Sequence, residues 1–319
     1  MPKDQKLTDI LYAAVDSETG ADVAYPAKTR EEYQKLLDEK GATGVHELVE
    51  FAAVYGNIDD DDSKIVKPFH DDPELCTGQT KERSLIMTEQ VFAARVKPST
   101  PIPYETMVAH GIRDEDLEGF PSFEEYFERF IAETKGFVLL IHNAAYDWPV
   151  FSWHAEKIGS AMKPFAVVDT FRLARLVLPD QRFHSNQYLM HQFGVPRLQG
   201  HLAAPDSAVT LMVFKRLVDI YIDKHGDNSL QGLCRDLSKP IKRKLWPFGK
   251  HKGTLIDTLP GDYLQWWFAK RIIEDYDNED WELNYWAALV YDQYNKGRTD
   301  ESRKCLENFR KKLVWPCFD

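Results

Sequence analysis

The sequence predicts an α/β protein: a mixed β-sheet flanked by helices in one layered domain, followed by a small, mostly helical C-terminal region. Short apolar runs bounded by turn residues (11–15, 91–96, 137–141 and 165–168) read as strands, several of them buried on both faces. Later strands alternate with stretches whose apolar residues recur at helical spacing. The chain has 319 residues, 43% hydrophobic and 29% charged, enough for one large domain and a small one.

The stretch 11–20, LYAAVDSETG, organises the rest. Its apolar run gives a buried strand that stops at Asp16. Residues two apart on a strand point to one side, so Asp16 and Glu18 present two carboxylates to one small volume. Like charges that close raise each other's pKa unless a cation holds them, and hard oxygen ligands suit Mg²⁺ or Mn²⁺. A solvated turn is the alternative, because Asp-x-Glu-Thr-Gly is also ordinary turn and capping composition.

Residues 29–40 (TREEYQKLLDEK) are amphipathic and predict a helix stopped by Gly41. Residues 46–55, HELVEFAAVY, predict the second strand. The polar stretch 57–89 reads as a long loop, its acidic run at 59–62 as solvated surface. Residues 91–96 give a third strand, ended by Pro98, Pro101 and Pro103. Ser122 is placed to cap a helix whose Phe123, Tyr126, Phe127, Phe130 and Ile131 form a core stripe.

The run 137–141 is a buried strand leading into HNAAYD (142–147), and 165–168 is another, ending at Asp169 before a helix over 170–178. Residues 185–193 read as helical. In the segment from 201, HLAAPDSAVTLMVFKRLVDIYI, Pro205 suits a first helical turn. Three leading strands followed by alternating helix and strand make a sheet of mixed direction.

The N-terminal MPKDQKLTD has no apolar signal region, and no run of about 18 apolar residues occurs, so a cytoplasmic location without membrane contact is expected. Cys76, Cys234, Cys305 and Cys317 are scattered without a CxxC pair, which predicts reduced thiols. The net charge of −11 is uneven: −12 through residue 220 and +1 beyond it. An acidic main portion argues against a large DNA-coating surface and is compatible with a metal-filled carboxylate cluster.

Asp147 follows a strand by one short loop, Asp206 falls in a helix's first turn, and His201 stands just outside that helix. Ligands drawn from strand ends and an adjoining helix are how an α/β fold builds a site at the carboxyl edge of its sheet. Asp16, Glu18, Asp147 and Asp206 are enough carboxylates for two metal ions. Singly, Asp147 reads as a helix cap, Asp206 as a dipole partner and His201 as a surface histidine.

In their order, DSE (16–18), HNAAYD (142–147) and HLAAPD (201–206) resemble the three motifs of the DnaQ-like, DEDDh 3′-to-5′ exonucleases, whose fold is ribonuclease H-like. VFAARVKPSTPIP followed by HGI (110–112), and VVDTFRLAR (167–175), are similar to intervening segments of that superfamily. PFGKHKGTLIDTLPGDYLQWWF (247–268) resembles the small C-terminal element of the exodeoxyribonuclease X type, and HSNQYL (184–189) its segment before the third motif. Where the superfamily carries a large apolar residue after Thr-Gly, Ala21 and Asp22 stand here. The resemblance implies an exonuclease domain over 7–222 and a C-terminal element over 236–273; residues 274–319 extend beyond it and are expected to form a helical extension of unknown role.

The resemblance further implies two Mg²⁺ ions, replaceable by Mn²⁺, on Asp16, Glu18, Asp147 and Asp206, with His201 as general base, since an imidazole exchanges protons near neutral pH. Nucleoside 5′-monophosphates would leave one at a time from a DNA 3′ end, in repair, recombination or DNA turnover. The alternatives are an exoribonuclease trimming RNA 3′ ends and a nucleic-acid-binding scaffold without hydrolysis. Asn143 and the backbone around Ser17 and Thr19 are candidate contacts to the terminal nucleotide. Lys250 and Lys252, with Lys239, Lys242, Arg243 and Lys244, lie near Trp246, Phe248, Trp266 and Trp267, a mixture suited to single-stranded nucleic acid. Most of these aromatics read as the core of a miniature unit instead.

Overall fold

The computed structural model describes residues 4–20, 47–72, 74–75, 83–98, 101–102, 104–242, 244–247, 249–270, 281–300, 303–305 and 307. The helix expected over 29–40 with its stop at Gly41, and Ala21, Asp22, His46, Cys76, Arg243, Phe248 and Cys317, lie outside them. Six strands form one mixed sheet: β1 (Leu11–Thr19), β2 (Leu48–Asn57), β3 (Leu85–Met87), β4 (Val91–Arg95), β5 (Val138–Ile141) and β6 (Ala166–Asp169), in the order β3-β4-β2-β1-β5-β6. The pairs β1/β2, β2/β4 and β3/β4 are antiparallel, whereas β1/β5 and β5/β6 are parallel.

Helices cover both faces, which is why the strand cores are apolar at every position. On one face, Tyr12, Ala14, Ala52, Val54, Leu140 and Val168 pack against the long helix Ala203–His225 and the helix Asn186–Phe193. On the other, Ala13, Val15, Phe51, Ala53, Leu139 and Val167 pack against Phe123–Thr134 and Ala144–Lys157. The helices, in chain order, are α1 (Asp62–Asp71), α2 (Tyr104–His110), α3 (Phe123–Thr134), α4 (Ala144–Lys157), α5 (Thr170–Val177), α6 (Asn186–Phe193), α7 (Ala203–His225), α8 (Leu230–Leu237), α9 (Gly261–Lys270) and α10 (Trp281–Tyr294). This is the expected mixed sheet flanked by helices, with a helical C-terminal region.

Several local expectations are corrected. β1 does not stop at Asp16 but runs to Thr19, because Asp16, Ser17 and Glu18 pair across the ladder with Ala52, Phe51 and Glu50. The stretch 57–89 is not one loop. It holds α1 and the short edge strand β3, so four strands, not three, precede the alternating part. The acidic run is not free surface either: Asp61 caps α1 by accepting from Ser63 N at 2.8 Å, and Asp62 pairs with Lys215 at 2.9 Å and with Arg216, both on α7. Ser122 holds the N-cap position of α3 without a capping side-chain bond.

After α8 the chain builds a second core from Trp246, Ile256, Leu259, Tyr263, Leu264, Trp267, Leu283 and Ala287. Trp246 Nε1 donates to Tyr263 Oη and Trp267 Nε1 to Asn284 Oδ1, both at 3.0 Å, satisfying the polar ends of buried rings. Trp266 stays exposed. Lys239, Lys242 and Lys244 form surface ion pairs with Asp236, Asp257 and Asp180. Glu282 of α10 is buried against the exonuclease-like part, in ion pairs with Arg172 at 2.8 Å and Arg175 at 3.4 Å, both on α5. Cys234 and Cys305 are buried. No helix among the described residues is long and apolar enough to cross a membrane.

Candidate active site

Strand parity decides which side chains meet. Asp16 and Glu18 share the face of Tyr12 and Ala14, on which α7 lies, while Ser17 and Thr19 share the α4 face. Asp206 sits in the first turn of α7 and Asp147 in the first turn of α4. Two helix N-termini thus carry carboxylates to the end of β1 from its two sides, where the helix dipoles favour negative charge. The register shifts immediately after Glu18, Thr19 pairing with Leu48, a bulge of the kind that re-aims side chains beside sites.

Asp169 explains why α4 begins where it does. Its carboxylate accepts from Asn143 N at 3.2 Å, Ala144 N at 3.1 Å and Arg172 N at 3.1 Å, capping α4 and α5 together. Asn143 adopts a left-handed conformation (φ 71°, ψ 57°), which asparagine tolerates better than most residues, and its side chain faces solvent.

Asp147 is fixed by Ser17 Oγ, which donates to its Oδ1 at 2.6 Å, and Thr19 Oγ1 shares a 3.1 Å hydrogen bond with Tyr146 Oη. The Ser17 and Thr19 side chains therefore orient α4. Asp206 accepts from His201 N at 2.7 Å and from Gln187 Nε2 at 3.2 Å. A Cβ on Gly200 would fall 2.4 Å from Gln187 Nε2, so glycine at 200 is what leaves this amide in place. His201 is exposed and left-handed (φ 60°), which turns it out of the α7 axis. Ligand atoms of Glu18, His201 and Asp206 all lie within 4.8 Å of one another.

The electrostatics of the cluster are unfavourable as they stand. Burial pushes the Asp16 carboxyl well above the usual range, and the charges of Asp147, Asp206, Glu18 and Glu50 push it further. Glu18 is raised by burial and then by Glu50, Asp206 and Asp147. Burial carries Asp147 up to about 7 despite the Ser17 bond, and raises Asp206 against the hydrogen bonds it accepts. No lysine or arginine pairs with these four carboxylates among the described residues; Arg95, 3.6 Å from Glu50, is spent one strand away. A hard divalent cation meets this donor set: it supplies the missing positive charge, and the converging oxygens supply its ligands.

Asp16, Glu18, Asp147, His201 and Asp206 are thus brought to one sheet edge, with Asn143 and the Ser17 and Thr19 backbone beside them. Lys250 and Lys252 are not. They lie on the C-terminal unit, Lys250 5.5 Å from the Tyr263 ring centre, and no hydrogen bond or ion pair among the described residues joins them to the carboxylates. The sequence reading missed four neighbours. Gln187 holds Asp206, Asp169 caps α4, Glu50 stands opposite Glu18, and His110 is buried beside His201 and pushed down to about 4, chiefly by burial. A charged residue interrupting the apolar run of β2 was a legible sign of Glu50. Gln187 had none.

A family model described as Exonuclease (RNase T) matches residues 37–214, more than half of the chain, and so spans Asp147, His201 and Asp206. A second model, named for a quorum-sensing-regulated virulence factor, matches residues 235–272. The chain is 26% identical over 218 residues to the PolC-type DNA polymerase III of Halalkalibacterium halodurans, covering 66% of this chain and 14% of that protein. It is 29% identical over 143 residues to the DNA polymerase III subunit epsilon of Pasteurella multocida, covering 44% of this chain and 54% of that one. The chain thus spans less than two thirds of these relatives. Among solved structures, exonuclease X in complex with 5′-overhanging duplex DNA aligns with 71% of this chain and 98% of that one, at 17% identity and a TM-score of 0.39. The family model covers more than half of the chain, including the second and third carboxylate segments, and the chain belongs to the RNase T family of exonucleases.

Proposed function

We propose that the chain is a metal-dependent 3′-to-5′ exonuclease that releases nucleoside 5′-monophosphates from DNA 3′ ends. The observation that carries this reading is the convergence of Asp16, Glu18, Asp147 and Asp206, raised by burial, with His201 at the rim. A protein that only held nucleic acid would gain nothing from uncompensated negative charge where phosphates must sit.

Asp16, Glu18, Asp147 and Asp206 would hold two divalent ions, Mg²⁺ or Mn²⁺. Bound there, the pair would supply activation of water and charge stabilisation at the leaving oxygen. The protein's own groups do the rest. His201, exposed and beside Asp206, takes the proton of the attacking water on a ring nitrogen. Gln187 and His201 N hold Asp206, and Ser17 holds Asp147, so the ligands are oriented before substrate arrives. Asn143, exposed at the α4 N-terminus, would contact the terminal nucleotide. Lys250 and Lys252 would meet the strand farther away.

The test uses single-stranded DNA and RNA of matched sequence, labelled at the 5′ end, with Mg²⁺ and either the native protein or Asp147→Ala. The expected result is a ladder shortening from the 3′ end of DNA, lost with the substitution or a chelator. Faster shortening of RNA would replace DNA by RNA as the substrate. Binding without shortening of either would overturn the enzyme reading in favour of a scaffold.

A further inference from the structure

We infer that Phe183 and Tyr188, with Arg182, form a base-stacking subsite for a single-stranded nucleic acid whose end lies among the carboxylates; this deepens the nuclease reading and rests on it. Both rings are large and surface-held, Phe183 50% and Tyr188 42% exposed. They pair with each other, ring centres 5.6 Å apart and tilted by 49°, and the Arg182 guanidinium lies 4.9 Å from the Phe183 ring centre. Core packing does not account for them, because Asn186, Leu189 and Met190 already supply the buried face of α6.

Position ties the pair to the site. Tyr188 directly follows Gln187, whose amide holds Asp206 at 3.2 Å. The loop that carries Phe183 is fixed rather than loose: Gln181 Nε2 donates to Phe183 O at 2.6 Å, His184 Nε2 bonds Leu178 O at 3.0 Å, and Ser185 caps α6. At its far end Asp180 pairs with Lys244 of the C-terminal unit at 2.8 Å. Chain adjacency and these bonds thus link Asp206, through Gln187 and the 180–188 segment, to Lys244.

The chemistry matches one ligand class. Exposed aromatic faces stack bases of any sequence, and an arginine beside them neutralises phosphate while adding to the stack. The two rings stack on any base, so the subsite grips a strand chiefly without selecting its sequence. Two rings imply contact with about two bases.

The test measures binding of fluorescein-labelled oligothymidylates of one to eight nucleotides, with Ca²⁺ in place of Mg²⁺, by anisotropy. Native protein is expected to gain affinity once the strand is long enough to reach the rings. Phe183→Leu/Tyr188→Leu is expected to lose that gain and bind the octamer about tenfold more weakly. Phe183→Tyr/Tyr188→Phe, which keeps both rings, is expected to retain it. An unchanged length profile in the leucine double variant would overturn the subsite while leaving the nuclease reading intact. Native protein that neither binds nor shortens any oligonucleotide would overturn both.

Discussion

Asp16→Asn is expected to lower hydrolysis at least about a thousandfold and to raise the melting temperature of the metal-free protein at pH 8. The loss follows from removing a ligand oxygen from a site where metal-borne charge stabilisation contributes several kcal/mol, each 1.36 kcal/mol being tenfold in rate. The gain in stability follows from repulsion. Asp16 is pressed by burial and by four neighbouring carboxylates, and a neutral isostere of the same shape removes that strain.

The sign can be checked by pH. A carboxyl whose folded pKa lies above its unfolded value binds more protons folded than unfolded between the two, so its contribution to stability is present at low pH and lost as pH rises through that window. For Asp147 the window runs from its ordinary 3.8 to about 7, and Asp16 is displaced in the same direction. Metal-free native protein should therefore melt at lower temperature at pH 8 than at pH 5, and Asp16→Asn should narrow the difference by at least about 2–4 °C. A lower melting temperature for Asp16→Asn at pH 8 would mean that Asp16 makes a structural bond worth more than the repulsion.

Arg172→Ala is expected to cost about 3–5 kcal/mol of stability, the usual penalty for leaving a buried charge without its partner. Arg172 and Glu282 have side chains only 4% and 1% exposed. Arg172 also donates to Leu237 O, at 3.2 Å from Nε and 2.8 Å from Nη2, and to Lys239 O at 2.9 Å. One guanidinium thus joins α5, the end of α8 and α10. Its backbone N–H is bonded to Asp169, the carboxylate that caps the active-site helix α4, so the anchor of the C-terminal unit and the site share a residue. Urea denaturation checks this. A loss below about 1 kcal/mol would show that Arg175 and Ile241 N suffice to hold Glu282.

What was legible in the sequence is what local pattern encodes. The buried runs of β4, β5 and β6 and the aromatic stripe of α3 stand out because each is apolar at its own period, and the family resemblance that the carboxylate segments suggested carried through. The segment 57–89 was misread although α1 had local signals, an Asp61 cap and Ile65, Val66 and Phe69 at helical spacing; what no local period announces is the pairing of Asp62 with Lys215 and Arg216, more than 150 residues away. The end of β1 was misread because its last residues are polar for the site's sake while their backbone still pairs with β2. The pairing of Lys244 was not legible because its acidic partner, Asp180, lies 64 residues away in the chain.

The central claim is that the carboxylate cluster is a divalent-metal site, and calorimetric titration of the metal-free protein with Mn²⁺ tests it most directly. The expected result is saturable binding of two ions, weakened at least tenfold by Asp16→Asn and accompanied by a rise in melting temperature that is larger at pH 8 than at pH 5. Absence of saturable binding, or binding that Asp16→Asn leaves unchanged, would contradict it.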